Sequence, residues 1–315
     1  MIAQKPVVLV TGASGFIGRH VIPMLVRQGW SVRRAVRRPN GLDGEVVIPS
    51  IGPETSWRTV LTDVDAVVHL AARVHHKREE YAANLYRTTN SAGTLQLARS
   101  AAEAGVRQFI FISTVLVHGR SNGGRAPFSE EDVLTPRGMY GLSKAEAEAG
   151  LKALASETDM KISTIRPPLV YGAGAKGNFA LLTRAVILGL PLPLAAIRNQ
   201  RAFVAVQNLS SFILYRLAHP DPNSNFETFL VADKEQISTP EFISRLAKAS
   251  GTHPRLFRAP PRLLSSVLSM IGRPEMYDSL LGSLELDISK AIATGWQPEV
   301  SLDEGLRLAL LAQDP

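Results

Sequence analysis

Cysteine is absent from this chain of 315 residues, and its absence excludes several kinds of chemistry. Without a thiol, the protein can have no disulfide, no thiolate metal ligand and no cysteine nucleophile. The adjacent pair His75 and His76 also lacks the spacing of metal ligands, so we expect no metal site. A reducing compartment suits such a sequence, and we expect a cytoplasmic protein.

Long apolar runs are also scarce. The first run, residues 6–10, stops at Thr11 and Gly12, which is too short for a signal peptide or a membrane span. A second apolar stretch, residues 265–271, is explained more simply by core packing than by contact with lipid. We therefore predict no export and no stable membrane insertion.

The chain is basic, with 35 lysines and arginines against 28 acidic residues and a net charge of +7. Such a charge suits nucleic acid, an anionic membrane surface or an acidic small molecule such as a diphosphate. The sequence lacks the basic and aromatic recognition pattern of nucleic-acid-binding modules, and we expect no nucleic-acid partner.

The first half of the chain alternates short β-branched runs with longer helical patterns. Strands are predicted at residues 7–10, 31–36, 46–48, 66–70, 109–113 and 161–165, and helices at residues 17–28, 83–104 and 140–158. This alternation is typical of an α/β fold in which helices flank a parallel sheet. It predicts a Rossmann-type doubly wound parallel sheet.

The rhythm changes after Pro168, where glycines and prolines divide shorter segments. We predict an NAD(P)-binding domain at residues 1–172 and a smaller C-terminal substrate-binding lobe in residues 173–315. Helices are predicted there at residues 239–250, 262–271, 288–294 and 302–312. Predicted strands at residues 203–206 and 228–231 are expected to return to the first domain.

A glycine-rich turn follows the first predicted strand and opens the first helix. Gly12, Gly15 and Gly18 are spaced G-x-x-G-x-x-G in the context that a dinucleotide-binding turn requires. Gly12 allows the tight turn, Gly15 lets the backbone approach a pyrophosphate, and Gly18 lets the helix pack closely. The helix N-terminus then faces the phosphates.

The second predicted strand ends among arginines, where an NAD enzyme usually has an acidic residue for the ribose hydroxyls. The arginines are Arg33, Arg34, Arg37 and Arg38. Guanidinium groups suit a 2′-phosphate, so NADP is favoured or at least tolerated, with Arg37 as a contact. The alternative is that these arginines are solvated and touch no ligand.

Tyr140 and Lys144 begin a predicted helix and share one face of it. A neighbouring ammonium and a positively charged nicotinamide would lower the pKa of the Tyr140 phenol, which could then exchange a proton with a sugar hydroxyl. Ser113 and Thr114 end the strand at residues 109–113 and offer hydroxyls to a reacting oxygen. The alternatives are an amphipathic helix with an exposed lysine, and a threonine that merely ends a strand.

With these motifs in this order, the chain resembles the extended short-chain dehydrogenase/reductase family, in particular its NAD(P)-dependent nucleotide-sugar epimerase/dehydratase branch. Further matching segments lie at residues 69–72, 90–94, 166–172, 176–179, 201–209, 287–291, 295–298 and 301–306, so that the resemblance spans nearly the whole chain.

The resemblance implies roles for individual residues. Thr114, Tyr140 and Lys144 would be the catalytic triad, and Asn178 and Arg201 would contact the nucleotide diphosphate, with Ser113 also a substrate contact. The implied cofactor contacts, for NAD or NADP, are Gly12, Ser14, Gly15, Phe16, Ile17, Gly18, Arg37, Leu70, Ala71, Ala72, Tyr140, Lys144 and Pro167. Relatives also imply a homodimer and a UDP-type nucleotide-sugar substrate.

The chain departs from the dehydratases of that branch, which follow the catalytic threonine with an Asp-Glu pair. Val115 and Leu116 stand there instead, and neither can transfer a proton. This leaves oxidation and reduction at a single carbon, and the resemblance then implies a 4-epimerase that acts on a UDP-hexose or UDP-N-acetylhexosamine through a 4-keto intermediate. The alternatives are an NAD(P)H-dependent 4-ketoreductase of a UDP-4-keto-6-deoxy-N-acetylhexosamine in surface-polysaccharide synthesis and a non-catalytic NADP-binding regulator.

Two further departures concern ligand contacts. Ser50 and Ile51 occupy the end of the third predicted strand, where many relatives place an aspartate that binds the adenine amino group. Arg273 is the candidate for the late arginine that many relatives use on the second phosphate.

Overall fold

The computed structural model describes residues 5–74, 79–260, 270 and 281–311. His75, His76, Arg273 and all of the predicted helix 262–271 except Met270 lie outside this part of the chain.

The predicted alternation of strands and helices is confirmed. The strands are β1 Val7–Thr11, β2 Ser31–Val36, β3 Glu45–Val47, β4 Ala66–His69, β5 Gln108–Ile112, β6 Lys161–Arg166, β7 Leu169–Tyr171, β8 Phe203–Ala205 and β9 Phe226–Leu230. The helices are α1 Phe16–Arg27, α2 Glu79–Tyr86, α3 Gly93–Glu103, α4 Gly138–Ala155, α5 Asn178–Ile187, α6 Val206–Ala218, α7 Thr239–Ala249, α8 Ser289–Ala293 and α9 Leu302–Leu311. A π-helical segment, Arg87–Ala92, joins α2 to α3, and a 3₁₀ turn, Val115–Val117, follows β5.

The large sheet has the strand order β3-β2-β1-β4-β5-β6-β9. Its pairs from β3 through β6 are parallel, with Leu9 of β1 opposite Arg33 of β2 on one side and Val67 of β4 on the other. The strand order reverses at β1 and β4, so that the carboxyl ends of these two strands form the crevice in which such sheets bind ligands. The predicted Rossmann-type doubly wound sheet is confirmed.

Apolar side chains with almost no exposed surface hold this sheet to its helices. Leu9, Val67 and Phe109 of the sheet are completely buried in one cluster with Leu97 of α3 and Leu151 of α4. Each such side chain contributes about 1.5–3 kcal/mol through its removal from water. This packing fixes α3 and α4, and with them the side chains near the carboxyl ends of the strands.

The chain forms two compact units. The first consists of Met1–His118, Val133–Arg166 and Ser210–Phe229, and the second of Gly119–Asp132, Pro167–Leu209 and Leu230–Pro315. Of the two strands expected to return to the first domain, β9 lies at the edge of the large sheet, whereas β8 pairs with β7 in a separate two-stranded sheet. The boundary at residue 172 stays a prediction.

An aromatic cluster lies inside the second unit. The rings of Phe203 and Phe242 stack with their centroids 4.1 Å apart, and Phe242 meets Tyr171 edge to face. The Tyr171 hydroxyl donates to Asp233 at 2.8 Å, and the Asn208 amide donates to the same carboxylate at 2.7 Å. No helix in the described ranges is long and apolar enough to cross a membrane.

Candidate active site

The turn after β1 has no room for side chains. Gly12 has a φ of +69°, and a Cβ atom there would lie 2.8 Å from the backbone nitrogen of Ala71. A Cβ atom on Gly18 would lie 2.5 Å from the Gly12 carbonyl oxygen, which also accepts a hydrogen bond of 2.9 Å from the Gly15 nitrogen. The three glycines therefore bring the start of α1 close to β1, and the N–H groups at that helix end are available to an anion.

A cavity of about 690 Å³ opens above this turn. Its lining consists of residues 12, 14–18, 35–37, 48–51, 70–74 and 89. Every predicted cofactor contact lies on this lining except Tyr140, Lys144 and Pro167. A glycine turn that a Cβ atom would fill, beneath a cavity of this size, fits a dinucleotide. The individual contacts remain predictions.

The four arginines within and after β2 do not act as one group. Arg33 donates to the carbonyl oxygens of Val60 at 2.6 Å and Thr62 at 2.8 Å, and Arg34 donates to the carbonyl of Asp43. Arg37 and Arg38 are exposed, and of these two only Arg37 lines the cavity. Of the four arginines, Arg37 is therefore the one that lines the cavity and is placed to contact a cofactor there.

A neutral hydrogen-bonded network lies beneath the cavity. Thr94 donates to the Asn90 carbonyl at 2.8 Å, so its oxygen accepts from Nε2 of His69 at 2.9 Å. Nδ1 of His69 then accepts from Thr11 at 2.7 Å. Burial, assisted by the charge of Lys144, lowers the pKa of His69 to about 3. The sequence had shown His69 only as part of a motif.

Lys144 is buried at the carboxyl end of β5. Its Nζ donates to the Ile112 carbonyl at 2.7 Å and lies 4.3 Å from the centre of the Phe111 ring. Tyr140 lies one turn earlier on α4 and is partly exposed. With Lys144 only 1% exposed, the alternative of an amphipathic helix with an exposed lysine is wrong.

Thr114 lies two residues after the end of β5. Its backbone is extended, and its Oγ1 accepts from the Leu116 nitrogen at 3.3 Å, which begins the 3₁₀ turn. Gly141 of α4 packs close to the same turn, since a Cβ atom there would lie 3.0 Å from the Leu116 carbonyl oxygen. This contact sets the start of α4 beside the end of β5.

Burial shifts the pKa values of both Tyr140 and Lys144. Burial, with a smaller contribution from Tyr86, raises the pKa of Tyr140 above its ordinary value. Burial lowers the pKa of Lys144 to about 7, although the charge of Glu148 opposes this shift. Burial therefore favours the neutral form of both side chains, and the lowering of the phenol pKa by the ammonium together with a positively charged nicotinamide stays a prediction.

A buried ion pair lies one turn further along α4. Glu148 receives two hydrogen bonds from Nε and one from Nη2 of Arg166, the shortest 2.6 Å long, and Nη1 of Arg166 lies 2.9 Å from Nε2 of His118. Glu148 also accepts from the Ser113 hydroxyl. Ser113 is buried and its hydroxyl proton is directed at Glu148, while its contact with substrate stays a prediction.

Sequence reasoning missed Glu148, although a signal was present. The residue continues the four-residue spacing of Tyr140 and Lys144, which places all three side chains on one face of α4. Only the structure shows that Arg166 approaches this face from β6.

The two predicted diphosphate contacts lie in the second unit. Asn178 is exposed at the first residue of α5. Arg201 is largely buried, and its Nη1 donates to the Gly282 carbonyl at 2.6 Å. Pro167 is buried in the same unit. Their contacts with ligands remain predictions.

The sequence model of the NAD dependent epimerase/dehydratase family matches residues 8–232. The chain belongs to this family. A UDP-glucose 4-epimerase of Vibrio cholerae is 38% identical over 95% of this chain and 93% of its own length. A dTDP-4-dehydro-6-deoxyglucose reductase of Escherichia coli is 24% identical over 97% of each chain.

Among solved structures, the UDP-glucose 4-epimerase of Thermus thermophilus in complex with NAD superposes with a TM-score of 0.77. The two chains are 25% identical, with 97% of this chain and 98% of the other covered. Family membership confirms that the chain is an NAD(P)-dependent enzyme and that its cofactor is NAD or NADP.

Proposed function

We propose that the protein is a nucleotide-sugar 4-epimerase that acts on a UDP-hexose or UDP-N-acetylhexosamine through a 4-keto intermediate. The observation that carries the proposal is the position of Lys144, whose ammonium is held at the carboxyl end of β5 with Tyr140 one turn before it on α4. Thr114 follows the same strand, so three proton-bearing groups lie near one strand end. The Vibrio cholerae relative supports the same reaction class.

In the proposed mechanism, these three side chains handle the proton of one sugar hydroxyl. When bound, the nicotinamide cofactor supplies the two-electron oxidation and the reduction that follows it. Tyr140 takes the hydroxyl proton as the carbonyl forms and returns it when the alcohol is restored. Thr114 donates a hydrogen bond to the reacting oxygen, and Lys144 orients the cofactor ribose.

The same strand end argues against loss of water from the sugar. Val115 is 3% exposed, and neither it nor Leu116 carries a group that can exchange a proton. Elimination needs a further acid and base beyond the three groups above. The proposal is therefore limited to oxidation and reduction at a single carbon.

A 4-ketoreductase is the second candidate, and Arg37 is the observation that favours it. Arg37 lines the cavity after β2, where a guanidinium group suits the 2′-phosphate of NADPH. The Escherichia coli relative is a reductase of a keto sugar nucleotide. A reductase consumes its dinucleotide, whereas an epimerase recycles it.

One experiment separates the two candidates. The protein is incubated with UDP-hexoses, UDP-N-acetylhexosamines and UDP-4-keto sugars, while dinucleotide absorbance and product stereochemistry are followed. We expect interconversion of 4-epimers without net consumption of dinucleotide. Stoichiometric consumption with a keto sugar would identify a reductase instead, and gel filtration of the same sample tests the proposed homodimer.

Tyr140→Phe tests the assigned proton transfer. The variant keeps the ring but loses the hydroxyl, and we expect kcat to fall about 10²- to 10⁴-fold with dinucleotide binding retained. Unchanged turnover of every substrate accepted by the parent protein would contradict the mechanism.

A further inference from the structure

Arg73 lines the cavity, and hydrogen bonds to its backbone hold it in place. The Arg73 nitrogen donates to Oδ1 of Asn90 at 2.8 Å, and the Arg73 carbonyl accepts from Nδ2 of the same side chain at 2.9 Å. Asn90 is completely buried in the π-helical segment, and its Nδ2 also donates to Ser143 of α4 at 3.1 Å. One amide side chain therefore clamps the backbone of Arg73 from both sides.

The described residues provide no acceptor for the guanidinium group of Arg73. Its Nε is buried and has no hydrogen-bond partner in the part of the chain that the structure describes. Other arginines in the same unit have carboxylate partners, such as Arg166 with Glu148 and Arg87 with Glu146, whereas no described residue forms a salt bridge with Arg73. A buried N–H donor without an acceptor costs free energy, and an acceptor from outside the chain would remove this cost.

We infer that Arg73 is a diphosphate-binding residue, whose guanidinium donates to phosphate oxygens of a ligand in the cavity. The segment that carries it lies against the glycine turn, because the Ala71 nitrogen donates to Thr11 at 3.3 Å and approaches Gly12 too closely for a side chain there. A guanidinium group matches phosphate oxygens in geometry and charge.

Two ligands carry this chemistry. One is the diphosphate of the dinucleotide, and the other is the diphosphate of the nucleotide sugar, which rests on the proposed function. The experiment therefore has two arms. The first measures the dissociation constants of NADH and NADPH by titration, and the second measures that of UDP for protein saturated with dinucleotide.

Arg73→Gln is compared with Arg99→Gln in both arms. Arg99 is an exposed arginine of α3 outside the cavity lining, so its variant loses the same charge at a distance. We expect Arg73→Gln to weaken one of the two ligands roughly tenfold or more, and Arg99→Gln to change neither. The ligand whose dissociation constant rises is the one whose diphosphate Arg73 binds. Parent-like affinity in both arms would overturn the inference.

Arg73→Met separates ligand binding from a structural role. In protein without ligand, replacing an unsatisfied cation by an apolar chain of similar length should leave Tm unchanged or raise it. Added dinucleotide or UDP should then raise Tm less than it does in the parent protein. A lower Tm without ligand, together with a parent-like rise on adding it, would show that Arg73 serves the fold. Neither arm depends on turnover, so the inference can fail while the proposed epimerase activity stands.

Discussion

The polar groups beneath the glycine turn and those beneath α4 are equally buried, but they differ in charge. Under the turn, His69 is kept neutral between two threonine hydroxyls. Under α4, Glu148 and Arg166 form a buried ion pair with Lys144 one turn away. At the end of β1, the sheet presents backbone N–H groups that suit an anion. At the end of β5, the same sheet presents side chains that can transfer a proton.

Glu148→Ala tests the charged network and should have the largest effect on stability. Removing one partner leaves Arg166 buried without its carboxylate, and such a loss costs about 3–5 kcal/mol. Urea unfolding followed by circular dichroism measures the change. His69→Gln, which leaves no buried charge behind, is the comparison and should cost less. If both variants lost the same free energy of unfolding, the buried charge would not distinguish the two networks.

His69 and Lys144 should each change the free energy of unfolding in a different pH range. The folded pKa of His69, about 3, lies below the ordinary 6.5, so the unfolded chain binds the proton first as the pH falls. The contribution of His69 to the free energy of unfolding is fully present above the unfolded pKa. It should fall by about 2 kcal/mol when the pH is lowered to 5. His69→Gln should remove this decline from the difference between the two unfolding curves.

Lys144 acts in a higher pH window with the same sign. Its folded pKa of about 7 lies below the ordinary 10.5, so the unfolded chain holds more protons between these values. The unfavourable burial of the ammonium is therefore relieved as pH rises, by about 2 kcal/mol between pH 7 and pH 9. Lys144→Met should abolish this rise, which unfolding measurements across the range would detect. If the free energy of unfolding still rose with pH in Lys144→Met, a group other than Lys144 would be responsible for the rise.

Gly12→Ala tests the glycine end of the comparison, with Gly105→Ala as its matched control. Both residues have a positive φ, but a Cβ atom on Gly105 would meet nothing within 4 Å, whereas one on Gly12 would meet the backbone of Ala71. Both variants should lose about 1 kcal/mol of stability from the backbone alone. Only Gly12→Ala should also weaken dinucleotide binding, by roughly tenfold or more. Equal affinities would mean that the close approach to Ala71 is not needed.

Arg37→Ala should have the smallest effect, because this side chain is exposed and its charge is screened. We expect NADPH affinity to fall by about 1 kcal/mol while NADH affinity stays the same. Arg38→Ala, which removes a neighbouring arginine outside the cavity lining, should change neither value. A loss of NADPH affinity in Arg38→Ala alone would move the 2′-phosphate to the other arginine.

Local sequence patterns were enough to predict most of the large sheet. The strands β1, β2 and β4 to β6 follow short β-branched runs whose alternation with helical patterns allows few other folds. The pattern failed for β8, since a three-residue apolar strand carries no information about which sheet it will join. Pairing partners depend on the path of the whole chain, as the separate β7 and β8 sheet shows.

By itself, the sequence determined the dinucleotide turn and the shared face of Tyr140 and Lys144, because each depends on spacing within one segment. Tertiary structure alone decided which polar groups meet. Ser113 donates to Glu148, Arg33 and Arg34 bind backbone carbonyls, and Arg73 lines the cavity with its buried Nε unpaired among the described residues. These outcomes depend on burial and on partners distant in sequence, which set both the pKa of a group and the acceptor available to it.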